Sequence, residues 1–178
     1  VIKEAMVLLE KAANQKEGLS GLRTGFEGLD KMTSGWQNSD LIIIAARPAM
    51  GKTAFVLSMA KNMAVNHNTP VALFSLEMSN VQLVNRLIVN VCEIPGEKIK
   101  SGRLESYEWE QLDFKIKELY DAPIYVDDTP SLSVFELRTK ARRLVREHGV
   151  RCIIIDYLQL MNASGMSFGS REQEVSTI

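Results

Sequence analysis

Residues 41–60 read L-I-I-I-A-A-R-P-A-M-G-K-T-A-F-V-L-S-M-A, and the fold turns on how that stretch divides. Residues 41–45 are an apolar run of strand length, residues 46–53 (A-R-P-A-M-G-K-T) form a small-residue loop, and residues 54–60 are apolar at helical spacing. Strand, phosphate-binding loop and helix follow one another in the order that a G-K-[ST] phosphate loop requires. The loop Arg47, Pro48, Ala49, Met50 and Gly51 runs into Lys52, Thr53 and Ala54 at the helix start. Consecutive backbone N–H groups there, together with the open end of the helix, make a concave donor cage for a polyphosphate. Lys52 then reaches the β- and γ-phosphates, and the Thr53 hydroxyl ligates magnesium. Ala46 stands where the first Gly of the strict pattern belongs, which its Cβ tolerates if φ is negative. Pro48 stiffens the loop by fixing its own φ. The reading is a nucleoside triphosphate site.

Downstream the same alternation repeats. Residues 71–76 (V-A-L-F-S-L) predict a buried strand ending at Glu77. Ser79 caps a helix whose Leu83, Leu87 and Val91 share a face with Val84 and Ile88, and Pro95-Gly96 breaks it. Ser106 opens a second helix through Trp109, Leu112, Ile116 and Leu119. Residues 124–126 (I-Y-V) are a third strand. Ser133 and Glu136 make a capping box for a helix reaching His148-Gly149, and residues 152–155 (C-I-I-I) are a fourth strand ending at Asp156. Apolar strands without alternation, separated by helices, predict an α/β fold with a mostly parallel sheet covered by helices on both faces. Upstream, Ile2, Met6, Leu9 and Ala13 repeat at helical spacing and predict a short amphipathic helix. It is set apart as residues 1–17, with residues 18–178 forming one domain. The stripe packs on its own domain or on another subunit, and spacing does not separate the two. Residues 162–169, with two Gly and two Ser, read as a mobile loop before a capping box at Ser170 and Gln173.

A chain of 178 residues with 46% hydrophobic and 24% charged residues has the length and composition of one globular domain. Its longest apolar runs are strand-sized, which argues against a membrane span. Val1-Ile2-Lys3-Glu4-Ala5 lacks the layout of a signal peptide. Cys92 and Cys152 sit in apolar surroundings as reduced core thiols, without a disulfide framework or zinc spacing. Together these predict a cytoplasmic protein. A net charge of −1 excludes a global attraction to nucleic acid, so DNA binding must come from a local patch or from oligomerisation. A start at Val and an end just inside a new helix predict a segment of a longer protein.

In an open parallel sheet, ligands gather at the carboxyl ends of the strands. Asp156, after C-I-I-I, fits a Walker B carboxylate that holds magnesium, a reading strengthened by the phosphate loop. Glu77 could orient and deprotonate the water attacking the γ-phosphate, although spacing alone leans toward an acid favoured by a helix dipole. Arg138, Lys140, Arg142, Arg143 and Arg146 make residues 133–148 a basic helix, read first as a solvated or subunit face and second as a phosphate contact. Arg86 could face the nucleotide or pair with an acid, and Gln159 could sense the γ-phosphate or cap a loop. His67 and His148 lie in no metal-ligand pattern.

With these residues placed, the chain closely resembles the C-terminal RecA-like ATPase domain of bacterial replicative DNA helicases of the DnaB type. The matching segments are T-G-F-E-G-L-D at 24–30, A-A-R-P-A-M-G-K-T at 45–53, F-S-L-E-M-S at 74–79, D-D-T-P at 127–130, K-A-R-R-L at 140–144 and I-I-D-Y-L-Q-L-M at 154–161. The resemblance implies ATP as substrate with Mg2+, Lys52 and Thr53 on triphosphate and metal, Asp156 as Walker B and Glu77 as catalytic base. It also implies a homohexameric ring that moves 5′ to 3′ on single-stranded DNA and unwinds forked DNA, with primase and a helicase loader as partners. The helix at residues 2–13 would be the linker helix that packs on a neighbouring subunit. In the family, the γ-phosphate sensor, the DNA-binding loops and the trans-acting arginine finger lie beyond position 178, so weak hydrolysis is expected of this segment alone. The competing readings are a RecA- or RadA-type recombination or repair ATPase, which F-S-L-E-M and I-D-Y-L-Q-L-M disfavour, and a non-catalytic nucleotide-binding assembly module.

Overall fold

The computed structural model describes residues 2–14, 20–163 and 170–177. The chain forms two compact units, Val1–Lys52 and Thr53–Ile178. The first holds helices α1 (Ile2–Asn14) and α2 (Glu27–Thr33). Ile2, Met6 and Leu9, part of an amphipathic stripe, are exposed on α1. The anticipated boundary at 17/18 falls outside the described residues. On either side of α2, Leu22 and Trp36 form an antiparallel bridge. A Cβ on Gly21 would lie 2.6 Å from the Gly35 carbonyl carbon, so the two strands of that bridge approach backbone to backbone. Inside the T-G-F-E-G-L-D segment, Asp30 folds back onto the Thr24 N–H (2.9 Å) and hydroxyl (2.6 Å), with both residues buried.

Residues 41–45 correct the expected phosphate-loop strand. They form no ladder, and Leu41 and Ile43 are 89% and 80% exposed. A strand requires a hydrogen-bonded neighbour, and the apolar run alone does not supply one.

The second unit continues from α3 (Lys52–Lys61), which opens two residues earlier than the apolar spacing indicated and closes in a π turn at Asn62–Asn66. Then come β1 (Val71–Ser75), α4 (Asn80–Cys92), α5 (Gly96–Ser101), α6 (Ser106–Tyr120), β2 (Ile124–Asp127), α7 (Val134–His148), β3 (Cys152–Asp156) and α8 (Arg171–Thr177). The three strands pair in the order β2-β1-β3, all parallel, with Val71 opposite both Ile124 and Cys152. The central strand is buried at every position. Ala72 and Phe74 pack with Leu132 and Val150 against Leu137 and Leu144 of α7. By the two-residue period of a strand, Val71, Leu73 and Ser75 point to the opposite face. Their complete burial means that this face is covered too.

Helix ends follow local chemistry. Ser79 and Gln82 form a capping box on α4, and Ser133 and Glu136 form one on α7, which ends at Gly149 with φ 63°. On α4, Leu83, Leu87 and Val91 are buried as predicted, but Val84 is exposed. Ser106 opens α6 as expected, and Glu105 caps it: the Glu108 carboxylate accepts the Glu105 N–H at 2.9 Å and Lys98 Nζ at 2.5 Å. Of the loop read at residues 162–169, residues 164–169 lie outside the described residues. The capping box expected beyond it is present in part, since the Gln173 N–H donates to Ser170 Oγ. Of the two thiols expected in the core, Cys92 is buried and Cys152 only half-buried, and burial pushes both up, Cys152 to about 11. No helix among the described residues is long and apolar enough to cross a membrane.

Candidate nucleotide site

The phosphate loop is built by a tight turn. The Met50 N–H donates to the Arg47 carbonyl at 3.2 Å, with Pro48 and Ala49 as the central residues. Pro at the first central position and positive φ at the second are the signature of a type II turn. Ala49 takes that second place at φ 62°, where Gly or Asn is usual, and Gly51 follows at φ 85°. Ala46 is not among the residues of positive φ, as its Cβ requires. Residues 46–51 are exposed. Lys52 and Thr53 occupy the first turn of α3, and no acidic side chain shares that turn. The positive end of the helix therefore carries no acidic side chain of its own first turn, an arrangement compatible with an anion there.

Within the second unit, Thr53 and Asp156 come together. The Thr53 hydroxyl donates to Asp156 Oδ2 at 2.7 Å, and Asp156 is 4% exposed at the last position of β3. In register, Asp156 lies opposite Ser75, the last residue of β1, and the Leu76 N–H donates to the Asp156 carbonyl at 2.9 Å. Glu77 follows two residues later in an exposed bend. Parallel pairing thus brings Glu77 and Asp156 to the same edge of the sheet. Ser75, which the sequence reading passed over, is buried and accepts the Met78 N–H at 3.1 Å, fixing the chain on the far side of Glu77.

The exit from β2 adds residues that only the D-D-T-P resemblance had marked. Asp127 accepts Lys140 Nζ at 2.6 Å and the Thr129 N–H at 3.0 Å, and Lys140 also donates to Thr129 Oγ1 at 2.5 Å. Burial pulls the Asp127 carboxyl up, but hydrogen bonds from Lys140 and Thr129 and the Lys140 charge outweigh it and hold the carboxyl below its ordinary value. Lys140 is thereby committed to an ion pair. Arg138, Arg142, Arg143 and Arg146 are exposed, and Arg143 reaches Glu147 at 3.7 Å, a solvated face. A groove of about 480 Å³ opens between β2 and α7, where Tyr125 and His148 stack at 4.4 Å. Arg86 is exposed on α4. Gln159 lies in a 3-10 turn, its carbonyl accepting from Arg171, which fits a loop role. Among the described residues, no group of three or more His, Cys, Asp or Glu side chains is placed to hold a metal ion.

Comparison with known proteins gives the family and the fold. The family model of the DnaB-like helicase C terminal domain matches residues 21–178. The replicative DNA helicase DnaB of Geobacillus stearothermophilus is 48% identical over 170 residues, spanning 96% of this chain and 37% of the relative. The replicative DNA helicase DnaC of Bacillus subtilis is 46% identical over the same shares. The chain spans little more than a third of the length of these relatives. Among solved structures, an isolated ATPase domain superposes with a TM-score of 0.88 at 37% identity, covering 99% of this chain and 63% of that one. A DnaB-like replicative helicase, solved in a study of its interactions with primase, gives 0.84 at 37% identity over 99% and 43%. The parallel sheet and its helices are therefore those of a RecA-fold ATPase domain, and the chain belongs to the DnaB-like helicase C-terminal domain family.

Proposed function

We propose that this chain is the ATP-hydrolysing motor of a replicative DNA helicase, with residues 47–54 on the triphosphate, Thr53 and Asp156 on magnesium, and Glu77 as general base. The pairing of Thr53 with Asp156 at 2.7 Å carries the reading, because it joins the phosphate-loop helix to the Walker B strand end. The two side chains offer only oxygen donors. That suits Mg2+, which takes one or two protein ligands and completes its shell with water and phosphate. When bound, Mg2+ neutralises charge on the β- and γ-phosphate oxygens. Lys52 adds its fixed positive charge to the same oxygens. Glu77, exposed at the sheet edge, accepts a proton from the attacking water.

In the whole protein these residues drive 5′ to 3′ movement on single-stranded DNA and unwinding of forked DNA by a homohexameric ring. Primase and a loader are its partners. Residues 1–17 act as a linker whose helix α1 seats its stripe on a neighbouring subunit. The exposure of Ile2, Met6 and Leu9 supports that role, since an uncovered amphipathic stripe calls for a partner. A recombinase or an assembly module has no comparable support.

The test is ATP-dependent unwinding of a 5′-tailed forked duplex by the full-length protein, wild type beside Glu77→Gln. The expected result is unwinding by wild type only, with ATP turnover of the variant down by roughly a hundredfold or more and ATP binding retained. Equal turnover of the two proteins would remove Glu77 from the chemistry. Binding and assembly without unwinding by either would leave a recombinase or an assembly module.

A further inference from the structure

The loop leaving β2 touches the chain that follows each of the two strands carrying the site carboxylates. Toward β1, Asp128 Oδ2 accepts the backbone N–H of Asn80 at 2.9 Å, across 48 residues of sequence. Toward the chain beyond β3, the Asn162 N–H donates to the Leu132 carbonyl at 3.2 Å, and Asn162 Nδ2 donates to the Ser131 carbonyl at 2.5 Å. The loop itself is held rigid by the bonds from Thr129 and Lys140 to Asp127 and by the complete burial of Leu132. Asn80 is the first residue of α4, three positions after Glu77. The Glu77 bend is therefore tied twice on its α4 side: Ser75 Oγ holds the Met78 N–H, and Asp128 holds the Asn80 N–H. A short exposed bend has few other ways to keep a carboxylate in one place.

We infer that Asp128 is a positioning residue for ATP hydrolysis, fixing the α4 end of the bend so that Glu77 is held at the reaction edge beside Asp156. The inference rests on the reading of Glu77 as general base. It requires the acceptor oxygen of Asp128 rather than its charge, so an amide at this position serves and a methyl does not. It also requires the donor on Asn80, which can be removed from the other side. Proline is tolerated at the first position of a helix, where the N–H has no intrahelical partner. Ser79, at φ −70° and ψ 158°, already has the extended backbone that a residue before proline adopts.

The experiment measures ATP turnover, KM for ATP and thermal midpoint of the full-length protein carrying Asp128→Ala, Asp128→Asn, Asn80→Pro, Asp128→Ala with Asn80→Pro, and Glu77→Gln. We expect Asp128→Ala and Asn80→Pro each to lower kcat about tenfold to a hundredfold, with KM and midpoint close to wild type, since a misplacement of about 1 Å at a reaction centre costs up to about a hundredfold. Asp128→Asn should restore most of kcat, and the double variant should be no worse than either single one. Wild-type kcat in Asp128→Ala, or equal kcat loss in Asp128→Ala and Asp128→Asn, overturns the inference. If Asp128→Ala does not fold, Asn80→Pro decides alone, and undiminished kcat there overturns it. Glu77→Gln separates the two readings. Full turnover in that variant removes the base itself, whereas an inactive Glu77→Gln beside a fully active Asp128→Ala removes only the positioning role.

Discussion

The Thr53 hydroxyl donates to Asp156 Oδ2 at 2.7 Å, joining residues 103 positions apart in the sequence. One belongs to the first turn of α3 and the other ends β3, so the bond holds a helix start against a strand end. Both oxygens suit a hard cation, and under the proposed function the hydroxyl would keep the carboxylate aligned for it.

Thr53→Val keeps the branched shape and deletes only the hydroxyl. ATP turnover of the full-length protein should fall roughly a hundredfold, the scale for losing one preorganised polar group at a reaction centre. Thr53→Ser, which retains the hydroxyl, should stay close to wild type. A magnesium titration of turnover checks the role: the Val substitution should raise the Mg2+ requirement, and an unchanged requirement would take Thr53 away from the metal.

The Asp127–Lys140 pair gives a prediction with a defined sign. The Asp127 carboxyl is held below its ordinary value of 3.8 in the folded chain. A depressed carboxyl contributes stability above its unfolded value and loses it as pH falls through the folded value. The pair should therefore be constant from about pH 5 to pH 8 and fade below about pH 4. Lys140→Met should cost about 1 kcal/mol at neutral pH, since both side chains keep part of their solvent. Urea midpoints of wild type and variant, followed from pH 7 to pH 3, should converge in acid. A gap that persists at pH 3 would show that Lys140 acts through packing instead.

These examples also show where the sequence is transparent. Parallel strands are legible because Val71–Ser75 and Cys152–Asp156 are short apolar runs between turn signals, and an acid after such a run marks the sheet edge. The capping boxes at Ser79 and Ser133 are legible because cap and partner lie three residues apart. Two short helices are not. In α2 only Leu29 and Met32 are apolar, and α5 opens at Gly96 directly after Pro95 with no buried residue, so neither carries a period. The run at residues 41–45 shows the reverse error, because apolar content implies a strand but does not supply its neighbour. Asp128 escaped for a third reason: its partner is a backbone N–H 48 residues away, and no local pattern announces such a contact.

Gly21 tests the close approach in the first unit. An added Cβ would meet the Gly35 carbonyl carbon and the Trp36 carbonyl oxygen, each at 2.6 Å, and backbone cannot swing aside as a side chain can. Gly21→Ala should therefore cost about 1–3 kcal/mol, as overpacking does. Gly28 is the matched control, since a Cβ there meets nothing within 4 Å and the residue lies in α2. Gly28→Ala should stabilise by roughly 0.5–1 kcal/mol. Chemical denaturation of both variants checks the pair, and equal effects would sink the steric argument.

Asp30 gives the sharpest stability test, because its two oxygens serve three donors. Oδ1 accepts the Thr24 N–H at 2.9 Å and the Thr24 hydroxyl at 2.6 Å, and Oδ2 accepts the Gly25 N–H at 3.3 Å. Thr24 is fully buried and Asp30 nearly so, leaving water little access to those donors if the carboxylate is removed. Asp30→Ala should therefore cost about 1–3 kcal/mol for the donors left unsatisfied. Asp30→Asn keeps a carbonyl oxygen for both Thr24 donors but turns an amide N–H toward Gly25, so its loss should be smaller. The chain has two tryptophans, Trp36 in the first unit and Trp109 in the second, so Trp109→Phe isolates the signal that reports on the first. In that background the Trp36 transition should shift for Asp30→Ala and less for Asp30→Asn. Identical shifts for the two would mean that charge, not hydrogen-bond acceptance, is what the T-G-F-E-G-L-D segment requires of its last residue.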